Sequence, residues 1–87
     1  MPRFELGRLL ATPGALRAIA PASLVTALQR HAVGDWGELS DEDRAANEAA
    51  LAEGTRLLSA YTLDATPVWV ITEGDRSATT VLLPHES

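Results

Sequence analysis

The stretch Arg56–Pro84, RLLSAYTLDATPVWVITEGDRSATTVLLP, decides the fold, because the apolar spacing here becomes alternating. Its three apolar segments read RLLSAYTL, PVWVIT and ATTVLLP. The two segments that connect them, DATP and EGDRS, are rich in turn-forming residues. This pattern predicts a three-stranded antiparallel β-meander. In the middle strand, Val68 and Val70 point to one face. Trp69 and Ile71 point to the other, so we expect helices on one face and the N-terminal segment or a partner chain on the other.

The residues before this stretch show helical spacing, with signals that begin and end helices. Thr12 and Ser40 are placed to cap helices, and Gly34 and Gly54 are placed to end them. The opening segment FELGRLLA predicts either a short strand or an extended arm. The sequence therefore predicts one α+β domain over residues 1–87, in which two or three N-terminal helices pack on a C-terminal three-stranded antiparallel meander.

Composition limits the classes of partner. The chain has 87 residues, no cysteine and a net charge of −5, and the charge is basic over residues 1–34 and acidic over residues 35–53. Zinc spacings and disulfides are therefore absent, and direct nucleic-acid binding is not expected, because it needs clustered Lys and Arg. The start of the chain lacks a signal-peptide pattern and no apolar run is long enough for a bilayer, so we expect a cytoplasmic protein without membrane contact.

The segment Arg30–Asp43, RHAVGDWGELSDED, contains the first candidate site, the sequence GDWG. One interpretation is a tight joint between two helices, with Trp36 folded over the core. The other is that Trp36 is an exposed anchor for a partner, flanked by Arg30, Asp35 and Glu38, since interface hot spots favour aromatic residues and arginine.

Asp41, Glu42 and Asp43 form an acidic run. In the first turn of a helix, negative charge is stabilised by the helix dipole, so a solvated helix start explains the run. The alternative is a negative patch that mimics the phosphates of DNA. The spacing does not follow a calcium loop, and no metal site is predicted. Arg76, in the turn TEGDRSATT, is a further candidate contact, because a turn does not require an arginine.

His31 lies near the end of a predicted helix, where a cation is favourable, and Asp35 follows it by four residues. A His–Asp pair also belongs to nucleophile triads, but no Ser or Cys lies in a recognisable nucleophile turn. We therefore predict no catalytic residue and no cofactor, and interpret His31 as a C-terminal cation of its helix.

Three segments together carry a family resemblance, and they read RHAVGDWGELSDEDRAANEAAL, GTRLLSAYTL and VWVITEGDRSATTVLLPHE. They resemble a family of short bacterial proteins encoded on plasmids and integrative elements, some of which are labelled type I restriction subunit M. The resemblance covers nearly the whole chain. Its recurring elements fall here on Gly34–Gly37 and on Ile71, Thr72, Glu73, Asp75, Arg76, Ser77, Thr79 and Thr80. It implies a setting of mobile DNA in a bacterial cytoplasm, where small acidic proteins are often inhibitors of host defence.

These observations predict a small, acidic, non-enzymatic protein-binding module, of anti-restriction or anti-CRISPR type, whose partner is another protein such as a DNA-binding defence complex. The expected contact residues are Arg30, Asp35, Trp36, Glu38, Asp41, Glu42, Asp43 and Arg76. The alternative is a small ribonuclease-like toxin or nucleic-acid-processing enzyme that uses His31, Arg30 and Arg76, although such toxins tend to be basic. A homodimer that completes its own core is a third hypothesis.

Overall fold

The computed structural model describes all 87 residues and shows three helices and a four-stranded sheet. The elements, in chain order, are β1 (Arg8–Ala11), α1 (Pro13–Ala18), α2 (Pro21–Ala32), α3 (Asp41–Glu53), β2 (Leu57–Leu63), β3 (Thr66–Thr72), β4 (Ala78–Leu82) and a 3₁₀ helix (Pro84–Glu86). The strand order across the sheet is β1-β4-β3-β2. The predicted α+β class is confirmed, and β2, β3 and β4 are antiparallel neighbours.

The predicted sheet of three antiparallel strands is wrong in one respect, because β1 pairs with β4 in parallel and makes a mixed sheet of four strands. Gly7 explains how the N-terminal segment reaches this position. Its φ of +66° is a left-handed conformation, and a Cβ there would collide with the Ser77 carbonyl. A glycine is therefore needed where the segment passes close to the β3–β4 turn before joining the sheet.

All three helices lie against one face of the sheet or along its β2 edge. The strand residues buried beneath them are Leu57, Ser59, Tyr61, Val68, Val70, Thr72, Thr79 and Val81. Of these, Tyr61, Val68, Val70 and Val81 join Ala15, Ile19 and Ala27 in the main core. Leu57 forms a smaller cluster with Trp36 and Ala50. No helix is long and apolar enough to cross a membrane.

The opposite face of the sheet has no helix on it. We call it the open face, and its apolar residues are Leu10, Leu58, Trp69, Ile71 and Leu82, with Thr80 among them. Leu10 is exposed, Leu58, Trp69 and Ile71 are half-buried, and Leu82 is buried. The N-terminal segment does not cover this face, because β1 extends the sheet sideways and Phe4 packs against His31 and Trp36 on the helix side.

The two edges of the sheet differ. Along β2 the outward backbone groups of Leu58 bond to the Asn47 side chain, with Nδ2 donating to the Leu58 carbonyl at 2.7 Å and Oδ1 accepting from its N–H at 3.2 Å. The Ala60 N–H donates to the Trp36 carbonyl at 3.1 Å, and its carbonyl accepts from the Glu38 N–H at 2.7 Å. The β2 edge is therefore closed by the chain itself, as is common where a free strand edge would promote association.

Asn47→Ala is expected to destabilise the fold by about 1–3 kcal/mol, because it removes both bonds to Leu58 and leaves buried backbone groups without partners. Asn47 is 5 % exposed. The matched control is Gln29→Ala, which truncates an exposed carboxamide on α2 and should change the free energy of unfolding by less than about 0.5 kcal/mol. Urea denaturation measures both changes, and equal effects of the two substitutions would contradict this role of Asn47.

Candidate functional site

Trp36, the aromatic residue of GDWG, is 5 % exposed and fills the smaller core cluster. Its Nε1–H donates to Glu48 Oε2 at 3.0 Å, and Arg3 holds the same carboxylate with two bonds of 2.8 and 3.0 Å. Phe4 stacks on the indole with ring centroids 6.2 Å apart. The hydrogen bonds from Arg3 and Trp36 lower the pKa of Glu48 to about 2, so the indole is held by an ionised carboxylate.

Asp35 organises the backbone of the GDWG turn. Its carboxylate accepts from Arg30 Nε at 2.7 Å and from the Gly37 N–H at 3.2 Å, and its carbonyl accepts from the Tyr61 hydroxyl at 2.6 Å. The Arg30 hydrogen bond lowers the pKa of Asp35, and the Arg30 guanidinium lies over the Tyr61 ring at 4.4 Å. Gly37 has a φ of +76° and lies against the Ala60 carbonyl, where a Cβ would not fit. GDWG is thus a structural joint between α2 and α3.

Arg76 lies at the other end of α3. Its Nη1 donates to the Thr55 carbonyl at 2.6 Å and its Nη2 to the Ala50 carbonyl at 3.0 Å. The Ala50 carbonyl also accepts from the Gly54 and Thr55 N–H groups, and a guanidinium beside the last carbonyls of a helix is favoured by the helix dipole. Arg76 therefore joins the end of α3 to the β3–β4 turn.

The acidic run lies at the start of α3, as expected, with the Ser40 hydroxyl accepting from the Asp43 N–H at 3.1 Å. Asp41, Glu42 and Asp43 are exposed and form no ion pair. The arginine that follows them, Arg44, instead donates to the carbonyls of Leu39 and Gly37. The negative charge at this end of the molecule is therefore uncompensated, and no cluster of side chains with the geometry for a metal ion is present.

His31 is fully buried at the centre of a hydrogen-bonded chain. Its Nδ1 lies 2.6 Å from Ser59 Oγ and its Nε2 lies 2.8 Å from Thr72 Oγ1. Thr72 Oγ1 is 2.7 Å from Thr79 Oγ1, which in turn donates to the Leu6 carbonyl at 2.7 Å. The chain links α2 to three strands and to the N-terminal segment. No buried side-chain polar atom of the protein lacks a partner.

Counting protons along this hydrogen-bonded chain shows that Nε2 of His31 carries a proton. Because the Thr79 proton goes to Leu6, Thr72 must donate to Thr79 and accept from Nε2–H. In the neutral imidazole Nδ1 accepts the Ser59 hydroxyl proton, so the Nε2–H tautomer satisfies every group. Burial, and secondarily the charge of Arg76, lowers the pKa of His31 from 6.5 to about 4. The interpretation of His31 as a helix-terminal cation is wrong, because its partners are hydroxyls in the core and Asp35 pairs with Arg30 instead.

The expected contact residues thus fall into three groups, which are Arg30, Asp35, Trp36 and Glu38 in the joint, Asp41, Glu42 and Asp43 at the start of α3, and Arg76 at its end. Sequence reasoning missed the partners of His31. A signal for them exists, since Ser59, Thr72 and Thr79 share the alternation of the buried apolar residues of their strands. It also did not single out Trp69 as a contact residue, although Trp69 lies on the open face.

Comparison with known proteins found no matching family model, no similar curated protein and no similar solved structure.

The free energy of unfolding is expected to fall as the pH falls from about 6.5 towards 4, by roughly 3 kcal/mol at most. The unfolded chain binds a proton at His31 near pH 6.5, whereas the folded chain binds it only near pH 4, so acid favours the unfolded state in this window. Carboxylates such as Glu48 have their unfolded-state pKa near 4.5, so between pH 6.5 and 5 the histidine dominates the slope.

Urea denaturation at a series of pH values measures this slope. His31→Gln should abolish the slope between pH 6.5 and 5, and His85→Gln, which removes an exposed imidazole, should leave it unchanged. A wild-type stability that is constant over this window would contradict the neutral, buried state of His31.

Proposed function

We propose that this chain is a non-enzymatic protein-binding module that contacts its partner through the open face of the sheet. The observation that supports this proposal is the presence of an aromatic and three large aliphatic side chains, Trp69, Leu10, Leu58 and Ile71, at a sheet surface that no element covers. An uncovered apolar patch on a small domain is typical of a protein-interaction surface.

The register of the sheet groups these side chains into two adjacent rows. In one row Ile71 is flanked by Leu58 and Thr80, with Leu10 next to Thr80. In the next row Trp69 lies between Ala60 and Leu82. A tryptophan at the centre of such a patch, surrounded by aliphatic residues, has the composition of an interface hot spot.

An acidic residue, Glu38, borders this surface on the β2 side. Glu38 accepts a hydrogen bond from Thr62, at the end of the open face, at 3.1 Å, and the exposed run Asp41–Asp43 follows it. We therefore infer a partner with an apolar patch beside basic residues. The mobile-DNA setting implied by the resemblance suggests a DNA-binding defence complex, whose basic surface such a module would occupy and thereby inhibit. Opposite charges at the rim would accelerate association more than they strengthen the complex.

The structure gives no observation that favours the toxin alternative. His31 is fully buried among hydroxyl groups, Arg30 is paired with Asp35 and Arg76 with helix carbonyls. Each residue on which that chemistry depended is engaged within the fold, and the three do not converge on a cleft.

Ile71→Lys is expected to weaken binding to the partner at least about tenfold, because it places a charge in the middle of the apolar surface. Capture from a bacterial lysate identifies the partner, and surface plasmon resonance with the purified partner measures the dissociation constant. The matched control is Ala52→Lys, which adds the same charge at an exposed position in the last turn of α3. Circular dichroism verifies that both variants fold.

A second variant, Asp41→Asn/Glu42→Gln/Asp43→Asn, separates charge from apolar contact. It should lower the association rate and reduce the salt dependence of that rate, with a smaller effect on dissociation. If Ile71→Lys bound the same partner with wild-type affinity, the open face would not be the binding surface.

A further inference from the structure

The outer edge of β1 carries backbone groups that nothing in the chain satisfies. Parallel pairing with β4 uses alternate residues of β1, as shown by the Arg8 N–H donating to the Ser77 carbonyl and the Thr12 N–H to the Val81 carbonyl, both at 3.0 Å. The N–H and C=O groups of Leu9 and Ala11 therefore point away from the sheet. No other segment forms a β-bridge with this edge, in contrast to the closed β2 edge.

Apolar side chains surround the same edge. The chain has six exposed large hydrophobic residues, and four of them are Leu9, Leu10, Leu16 and Val25, in β1 and in the helices beside it. On the helix side, Leu9 and Leu28 line two adjoining apolar grooves. An exposed edge strand flanked by apolar side chains is suited to pairing with another strand.

We propose that a second copy of this chain occupies this edge, with the two β1 strands antiparallel about a twofold axis. Leu10 then lies opposite Leu10 of the second copy, and Leu9 opposite Ala11. Each Leu9–Ala11 pair exchanges two backbone hydrogen bonds, so all outward groups of β1 are satisfied. A register centred on Leu9 would pair Gly7 with Ala11 of the second copy and would need Gly7 to be extended. The φ of +66° at Gly7 excludes this register.

Charge complementarity favours a second copy over a foreign strand. In this register Arg8 lies opposite Thr12 of the second copy, and the Thr12 hydroxyl donates to the Glu86 carboxylate at 2.6 Å. Arg8 has no ion-pair partner within its own chain, and Glu86 has no basic one. The twofold axis therefore brings each unpaired guanidinium near a carboxylate that accepts hydrogen bonds from Thr12 and Leu83 but forms no salt bridge. This contact occurs twice in the same interface, and isologous interfaces have this reciprocity.

The dimer would have one continuous sheet made from two four-stranded sheets, with helices on one side only. The two open faces would lie side by side, joined by the Leu10 pair. This inference is independent of the proposed function, because it concerns the edge of the sheet and not the partner of its face.

Sedimentation velocity from about 1 to 500 µM tests it on the wild-type chain, since a dimer dissociates on dilution. We expect twice the mass of one chain at the upper concentrations. Hydrogen exchange at the Leu9 and Ala11 amides should slow as the concentration rises, whereas the Leu10 amide, which faces β4, should be protected at every concentration. A chain that remains monomeric over the whole concentration range would overturn the proposal, whether or not its edge binds a strand of another protein.

Three variants locate the interface. Leu9→Pro removes an outward N–H without breaking the β4 ladder, and Leu10→Asp brings two carboxylates together, so each should raise the dimer dissociation constant at least about tenfold. Arg8→Glu should weaken the dimer and Arg8→Lys should preserve it. Val33→Asp is the matched control, because Val33 is as exposed as Leu10 but lies outside this edge. A dimer that persists unchanged in Leu9→Pro and Leu10→Asp would place the contact elsewhere and refute the model.

Discussion

The hydrogen-bonded chain through His31 is the constraint on which the rest of the structure depends. It runs from Ser59 through the imidazole to Thr72, Thr79 and the Leu6 carbonyl, so one side chain of α2 fixes the positions of three strands and the N-terminal segment. Buried polar chains of this kind are stabilising only when every group is satisfied, and breaking one bond leaves the others unpaired. The helices are therefore held on this face of the sheet, and the opposite face is left uncovered.

Most of the arginine side chains are also bound within the fold. Among them, Arg44 and Arg76 bind backbone carbonyls, Arg3 binds the Glu48 carboxylate and Arg30 binds the Asp35 carboxylate. The acids at the start of α3 form no ion pair. The molecule thus has an apolar sheet face with Glu38 at its border, and the proposal of a protein-binding module rests on this combination.

Local features could be predicted from the sequence and long-range ones could not. The caps at Thr12 and Ser40 and the left-handed Gly54 depend on a few neighbouring residues, and the structure confirms them. The pairing of β1 with β4 joins residues about seventy positions apart, and no local pattern determines its orientation. The prediction that His31 is a cation was wrong for the same reason, because its partners Ser59 and Thr72 come from distant strands. The apolar second face of β3 was predicted from alternation, but the N-terminal segment does not cover it, because β1 extends the sheet sideways instead.

The central claim is that His31 is a neutral, buried structural group and not a chemical one. Nitrogen-15 NMR of the imidazole tests it most directly, because the two ring nitrogens have distinct shifts in a single tautomer. The account predicts a protonated Nε2 and an unprotonated Nδ1, with no titration between pH 7 and 5. Averaged nitrogen shifts that titrate near pH 6.5 would show a histidine open to solvent, and would contradict the account.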